Sequence, residues 1–365
     1  MALRADDAVI GWDIGGAHVK ACCLQRGRVV DVAQWPCPLW MGLQHLDAAL
    51  AQAARRWPMA RAAAHVVTMT GEMVDLFPDR EAGVRTLATH LAQALPVPPL
   101  FYAGEQGFGQ AGDAAALWPA IASANWRATA TWAARWARGQ GHATGMLVDI
   151  GSTTTDLIAF RDAHLPGPAR SDADRLASGE LVYHGVVRTP LCALAPRIAF
   201  VGRTLNVMNE FFATTADVYR LTGELDPAHD QHASADGAPK DTRATQQRLA
   251  RMVGLDARDA DDARWLSFAC AWRAAQVAEL GSQLRRVADD QGLPDDAVFV
   301  AAGCGAFLLP DVLQAAGRSA VGRCFDFGGD TVPLAADAAA SVADWARVGA
   351  PSVALALLFA AQGVR

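Results

Sequence analysis

Short apolar runs that end in glycine turns alternate along this chain with alanine-rich stretches of helical period. Residues 8–12 are an apolar run ending at Asp13. The turn Ile14-Gly15-Gly16-Ala17-His18 and a second run, 19–24, follow, which is the pattern of strand, glycine turn, strand. Residues 146–150 repeat it and lead through Gly151-Ser152-Thr153-Thr154-Thr155-Asp156 into the apolar run 157–160. The two segments superpose without a gap, Asp13 on Asp149, Gly15 on Gly151 and Lys20 on Asp156. A repeat over this distance predicts two related lobes, 1–143 and 144–365, with the boundary near Gly139 to Thr144.

Between the hairpins, residues 44–63, 81–94 and 114–137 read as helices, 63–70 as a buried strand ending at Thr70-Gly71-Glu72, and 100–102 as a short strand. Beyond them, the stretch 180–195 begins as a strand that stops at Thr189-Pro190. Residues 224–243 read as a long mobile loop carrying Lys240. Helices are expected at 244–253 and 262–290. The run 297–302 then enters Gly303-Cys304-Gly305, a strand and glycine turn that can offer backbone N–H groups to an anion or a ribose. The uncharged stretch between Arg347 and Arg365 is short for a membrane span and reads as a buried terminal helix.

At 365 residues and 52% hydrophobic against 19% charged, the chain is too apolar for disorder and too long for one comfortable core. A net charge of −6 argues against a protein that coats nucleic acid or an anionic membrane. Seven cysteines form no CxxC pair and read as reduced thiols. Residues Met1 to Asp7 contain no apolar core, so no signal peptide is expected and a cytoplasmic location follows. Of the 32 basic residues only Lys20 and Lys240 are lysine.

A strand ending in Asp before small residues can hold a metal-bound phosphate, with the carboxylate orienting Mg²⁺ or its waters. Glycine lets backbone amides approach the oxygens, and hydroxyls add neutral donors. Asp13 and Asp149 are therefore the metal candidates. Gly15, Gly16, Gly151, Ser152, Thr153, Thr154, Asp156, Gly303 and Gly305 are the phosphate candidates, with Lys20 adding charge. Arg188 is a clamp for diphosphate or carboxylate, or one half of a structural ion pair. Thr214, Thr215 and Asp217 are substrate ligands, or a helix N-cap cluster. Lys240 closes over a phosphate, or is a solvated loop residue. Asn125 and Trp126 contact an aromatic substrate, or pack a helix.

The order of these elements resembles the actin, sugar-kinase and heat-shock-70 ATPase superfamily, which implies a two-lobed α/β fold (ribonuclease H-like) with a central cleft. The Ser-Thr-Thr-Thr-Asp ending of the second hairpin is close to that of hydantoinase A and oxoprolinase subunits. A narrower resemblance lies in Gly11-Trp12-Asp13-Ile14-Gly15-Gly16-Ala17, Thr68-Met69-Thr70-Gly71-Glu72, Ala122-Ser123-Ala124-Asn125-Trp126, the run from Glu180 to Pro190, the run from Phe212 to Val218, and the run from Ala235 to Lys240. These are similar to the methanofuran/methylofuran-biosynthesis family and fall in its order from residue 9 to about 305.

That resemblance implies a transferase that joins an aminomethyl-furanmethanol diphosphate to the phenol of a γ-glutamyl-tyramine or tyrosine-type acceptor. Diphosphate is released, Mg²⁺ is used and ATP is not consumed. In bacteria the product would serve formaldehyde oxidation. The partners implied are small-molecule substrates, with no nucleic acid and no membrane; a homo-oligomer is compatible with the sequence. The phenol's ordinary pKa is about 10, so a general base is needed, and His184, Asp217 and Glu72 are the candidates, His184 being preferred. The rivals are an ATP-dependent small-metabolite kinase or ATPase, and a non-catalytic nucleotide-binding scaffold. Ala17-His18 departs from the threonine that many sugar kinases carry after the first Gly-Gly, and no catalytic aspartate stands at a kinase-like spacing.

Overall fold

In the computed structural model, which describes residues 8–167 and 169–362, the first apolar pattern folds as expected. Strand β1 (Ala8–Ile14) turns at Gly15 and Gly16 into β2 (His18–Gln25), with Asp13 opposite Lys20 in the antiparallel register. A third strand, β3 (Arg28–Pro36), continues the meander. Strands β4 (Ala64–Met69), β5 (Leu100–Tyr102) and β6 (Phe108–Gly109) complete a six-stranded sheet of order β3-β2-β1-β4-β5-β6. Strands β1, β4 and β5 run parallel, and their near-continuous apolar character reflects burial on both faces.

The second pattern builds a matching sheet. Strands β7 (Thr144–Ile150), β8 (Thr155–Arg161) and β9 (Leu181–Val182) are followed by a separate ribbon, β10 (Arg197–Phe200) and β11 (Arg203–Asn206). Strands β12 (Val298–Ala302) and β13 (Cys324–Asp326) then give the order β13-β12-β7-β8-β9. Read from the other edge, this is the order of the first sheet without its sixth strand.

The repeat also holds at the level of single hydrogen bonds. Gly15 N–H donates to His18 O at 2.9 Å, and Gly151 N–H donates to Thr154 O at 2.8 Å. Ile14 O accepts from Thr70 N–H at 2.9 Å, and Ile150 O accepts from Gly305 N–H at 2.8 Å. The Thr70-Gly71-Glu72 turn after β4 is thus the counterpart of the Gly303-Cys304-Gly305 turn after β12.

The chain forms two compact units, Met1–Leu147 with Phe160–Asp174 and Phe325–Arg365, and Val148–Ala159 with Arg175–Cys324. This differs from a single break at 143/144. The terminal segment returns to the first unit because the helix Ala350–Gln362 is buried against β1, β2, β4 and the helix Asn125–Gly139. Among the described residues no single helix is long and apolar enough to cross a membrane. None of the seven cysteines is in a disulfide. Met1 to Asp7, on which the expectation of no signal peptide rests, lie outside the described residues.

Two elements depart from the pattern. The expected helix over 114–137 is two helices, Ala114–Ile121 and Asn125–Gly139. They are parted at Ser123, whose φ of +51° is uncommon for a residue with a side chain. Residues 224–243 are not a free loop. Arg220 binds Asp230 through two bonds of 2.6 and 2.9 Å, and Arg248 reaches both Asp236 and Pro239 O at 3.1 Å.

Candidate functional site

In the first unit the glycine turn and the end of β4 converge. Asp13 is the buried penultimate residue of β1, and Thr68 stands beside it in the parallel register with its hydroxyl fully buried and without a hydrogen-bond partner. Gly71 packs against Ile14 O and Gly15 O, so the Thr70-Gly71-Glu72 turn lies directly on the hairpin. Glu72 is only 1% exposed. Its Oε1 accepts from Ser123 Oγ at 2.8 Å, and its Oε2 has no hydrogen-bond partner. Gly83, in the helix Arg80–Ala94, backs this residue; a Cβ there would meet Glu72 O at 2.4 Å. Burial pushes the Glu72 carboxyl up to about 7, and the Ser123 hydroxyl offsets part of the rise.

Lys20 is engaged elsewhere. Its Nζ donates to Val348 O at 3.0 Å, at the end of the helix Ser341–Val348, where a cation meets unpaired carbonyls. Asn125 is half-buried at the start of its helix. Its neighbour Trp126 lines a cavity of about 300 Å³ that Ser123 also borders.

In the second unit the segment after β9 wraps the second hairpin. Val186 N–H donates to Gly151 O at 3.0 Å, and Val187 and Arg188 N–H groups donate to Ser152 O at 3.1 and 2.8 Å. Gly185 permits this, since a Cβ there would meet Thr153 N at 2.4 Å. Ser152, Thr153 and Thr154 stay half-buried, and Arg188 reaches Thr153 Oγ1 at 3.5 Å. Gly303, at φ +82°, lies against the Asp149 carboxylate, because a Cβ there would fall 2.5 Å from Asp149 Oδ1 and 2.2 Å from Ile150 O. His184 accepts Thr155 Oγ1 on its backbone oxygen at 2.6 Å. Burial lowers its imidazole pKa, partly opposed by the charge of Glu279, and its Nδ1 has no hydrogen-bond partner.

Five expected site residues are tied into the fold by bonds of their own. Asp217 is fully buried, closes a capping box with Thr214, and accepts from Arg248 Nε at 2.7 Å and Arg220 Nη1 at 2.8 Å. Thr214 and Thr215 are the first residues of the helix Thr215–Thr222, and Thr215 Oγ1 donates to Gly185 O at 2.9 Å. Asp156 forms a buried ion pair with Arg175. Lys240 Nζ is held by Asp230 through its backbone oxygen at 2.5 Å and its carboxylate at 3.1 Å. Asp217→Asn is expected to cost about 3 to 5 kcal/mol of stability by leaving two buried cations short of their partner, measured by urea unfolding.

Sequence reasoning missed Ser123 and Thr68 as site residues. Ser123 stood inside the motif Ala122-Ser123-Ala124-Asn125-Trp126, but nothing there singled it out from its neighbours.

The hydantoinase/oxoprolinase family model matches residues 63–322. A curated relative from Methanocaldococcus jannaschii, (4-{4-[2-(γ-L-glutamylamino)ethyl]phenoxymethyl}furan-2-yl)methanamine synthase, is 27% identical over 84% of this chain and 88% of its own length. The protein of the same name from Methanococcus vannielii is 29% identical over 46% of this chain and 74% of its own. Among solved structures, nucleotide-free acetone carboxylase matches with a TM-score of 0.54 at 10% identity, over 86% of this chain and 68% of that one. That likeness bears on fold alone, and with the doubled sheet it gives the α/β fold of the actin, sugar-kinase and heat-shock-70 ATPases.

Proposed function

The chain belongs to the hydantoinase/oxoprolinase family, and from that premise we propose that it is a transferase of methylofuran biosynthesis. It joins an aminomethyl-furanmethanol diphosphate to the phenol oxygen of a γ-glutamyl-tyramine or tyrosine-type acceptor and releases diphosphate. The observation that carries this reading is the match to the archaeal synthase over 84% of this chain and 88% of that relative.

In the step, the bond between the furan methylene carbon and the diphosphate oxygen breaks, and its electron pair leaves with diphosphate. The phenol oxygen bonds to that carbon, and the phenol proton passes to a base. Glu72 is that base. Its free oxygen and its carboxyl raised to about 7 suit a proton acceptor at neutral pH better than a solvated glutamate would. His184, held neutral by burial, is the alternative acceptor, in the second unit.

Negative charge builds on the departing diphosphate, and a glycine turn of the kind each unit carries is suited to receive it. Ser152, Thr153 and Thr154 add hydroxyls, and Arg188 adds a guanidinium beside them. The residues fit Mg²⁺. Asp13 and Asp149 each bring one hard carboxylate at a strand end, and Gly303 leaves room around Asp149 Oδ1. A single carboxylate at a strand end, in either unit, suits an ion held mostly by water and phosphate oxygens. When bound, Mg²⁺ would neutralise diphosphate charge.

The test is diphosphate release by the purified protein with Mg²⁺, the furan diphosphate and the phenol, and no ATP. Phenol-dependent release with an ether-linked product by mass is expected. ADP formation from ATP, without phenol-dependent diphosphate release, would move the protein to the kinase or ATPase class.

A further inference from the structure

The cavity beside Ser123 carries an unusual set of charges for a surface pocket. Glu105 Oε1 accepts from Arg127 Nη1 at 2.8 Å, and Glu105 Oε2 accepts from Arg170 Nη1 at 3.2 Å. Two guanidiniums thus share one carboxylate. The two arginines hold the Glu105 carboxyl below its ordinary range, so it stays ionised.

Arg127 is set in place before any ligand arrives. Its guanidinium lies over the Trp126 ring, 5.0 Å from the centroid, and its side chain is only 12% exposed. Gly104 makes room for it, because a Cβ there would meet Arg127 Cδ at 2.9 Å. Glu105 and Arg170 are largely open to solvent, so their share of the network can exchange partners. At about 300 Å³ the cavity is at the small end of ligand pockets. Its inner border is Ser123, whose hydroxyl binds the carboxyl group of Glu72.

A γ-linked glutamyl group keeps a free α-carboxylate and a free α-ammonium. We propose that this cavity seats the acceptor, with Arg127 and Arg170 binding the α-carboxylate, Glu105 binding the α-ammonium, and the phenol end directed to the Ser123–Glu72 side. The inference rests on the transferase reading and names the residues that select its acceptor. It makes the cavity a specificity site for the amino-acid end and separates that role from the bond-making chemistry.

The test is calorimetric binding of γ-glutamyltyramine and of tyramine to the full chain, without furan diphosphate. The wild-type protein is expected to bind γ-glutamyltyramine at least about tenfold more tightly, the scale of one charge-assisted contact pair. Arg170→Gln and Arg127→Gln should each reduce that preference and leave tyramine affinity unchanged. Arg170 is exposed, so its variant keeps the test valid should Arg127→Gln misfold. Glutaryl-tyramine, which lacks the ammonium, should bind more weakly than the γ-glutamyl compound, and Glu105→Gln should abolish that difference. Equal wild-type affinity for γ-glutamyltyramine and tyramine, or variants that weaken both alike, would overturn the proposal. A preserved preference without phenol-dependent diphosphate release would overturn the transferase reading and leave the pocket assignment standing.

Discussion

Glu72→Gln is expected to lower kcat/KM by roughly two to three orders of magnitude, the range of a positioned general base, while the protein becomes more stable above neutral pH. Both effects have one cause. Burial raises the Glu72 carboxyl from 4.5 to about 7, so the folded protein prefers the protonated form. The native state then binds more protons than the unfolded chain between these two values, and stability falls as pH rises through that window. At pH 8 the ionised carboxylate costs the fold about 3 kcal/mol at most, from the size of the rise. A neutral amide removes that cost and keeps the Ser123 hydrogen bond. In the wild-type enzyme, kcat/KM should rise with pH and level off above about 7, as the carboxylate that accepts the proton becomes populated. Kinetics across pH 5.5–8.5 with urea unfolding at pH 8 check both halves, on a buffer range of about three pH values around the Glu72 carboxyl. A variant as active as wild type, or one that loses activity and stability together, would make Glu72 a structural residue.

The hairpins were legible because their chemistry is local. An Asp that ends an apolar run, followed by glycine, is visible in residues 12–16 and again in 148–152, and the matched turn bonds at Gly15 and Gly151 follow from it. The third glycine turn, 303–305, was also legible, but its equivalence to Thr70-Gly71-Glu72 was not, since the two share almost no sequence. It emerges only from where Ile14 O and Ile150 O find their donors. The partners of Lys20, Asp156, Asp217 and Lys240 were not legible, for a common reason. Each is a charged residue in a suggestive place whose partner comes from elsewhere in the fold: Val348, Arg175, Arg248 and Asp230. Glu72 was named but ranked below His184. Its distinguishing property is burial, which is set by Ser123 and Gly83 and not by its own neighbours in sequence. The left-handed Ser123 had no advance signal, because alanine-rich sequence on both sides favours an unbroken helix. A strained serine that holds a buried carboxyl is the kind of local conflict that function preserves.

The doubled design makes a second prediction sharp. Asp13 and Asp149 occupy equivalent positions, each one residue before the isoleucine whose carbonyl anchors the neighbouring turn. If the two hairpins do the same work on a diphosphate, replacing either aspartate by asparagine removes one negative ligand and leaves volume and turn bonds unchanged. Asp13→Asn and Asp149→Asn are each expected to lower kcat by roughly a hundredfold or more, the usual loss when a group that stabilises the leaving charge is removed. Each should also raise the Mg²⁺ concentration at half-maximal rate, and chelation of Mg²⁺ should abolish turnover in the wild-type protein. Affinity for γ-glutamyltyramine should stay at the wild-type level in both variants, because the acceptor cavity is built from other residues. Asp149 offers a steric control. Gly303→Ala, at φ +82°, would place a Cβ 2.2 Å from Ile150 O and 2.5 Å from Asp149 Oδ1, and should lower both turnover and stability without changing any charge. Near-wild-type rates and unchanged Mg²⁺ dependence in both asparagine variants would reduce the hairpins to structural turns and remove the diphosphate from this part of the fold.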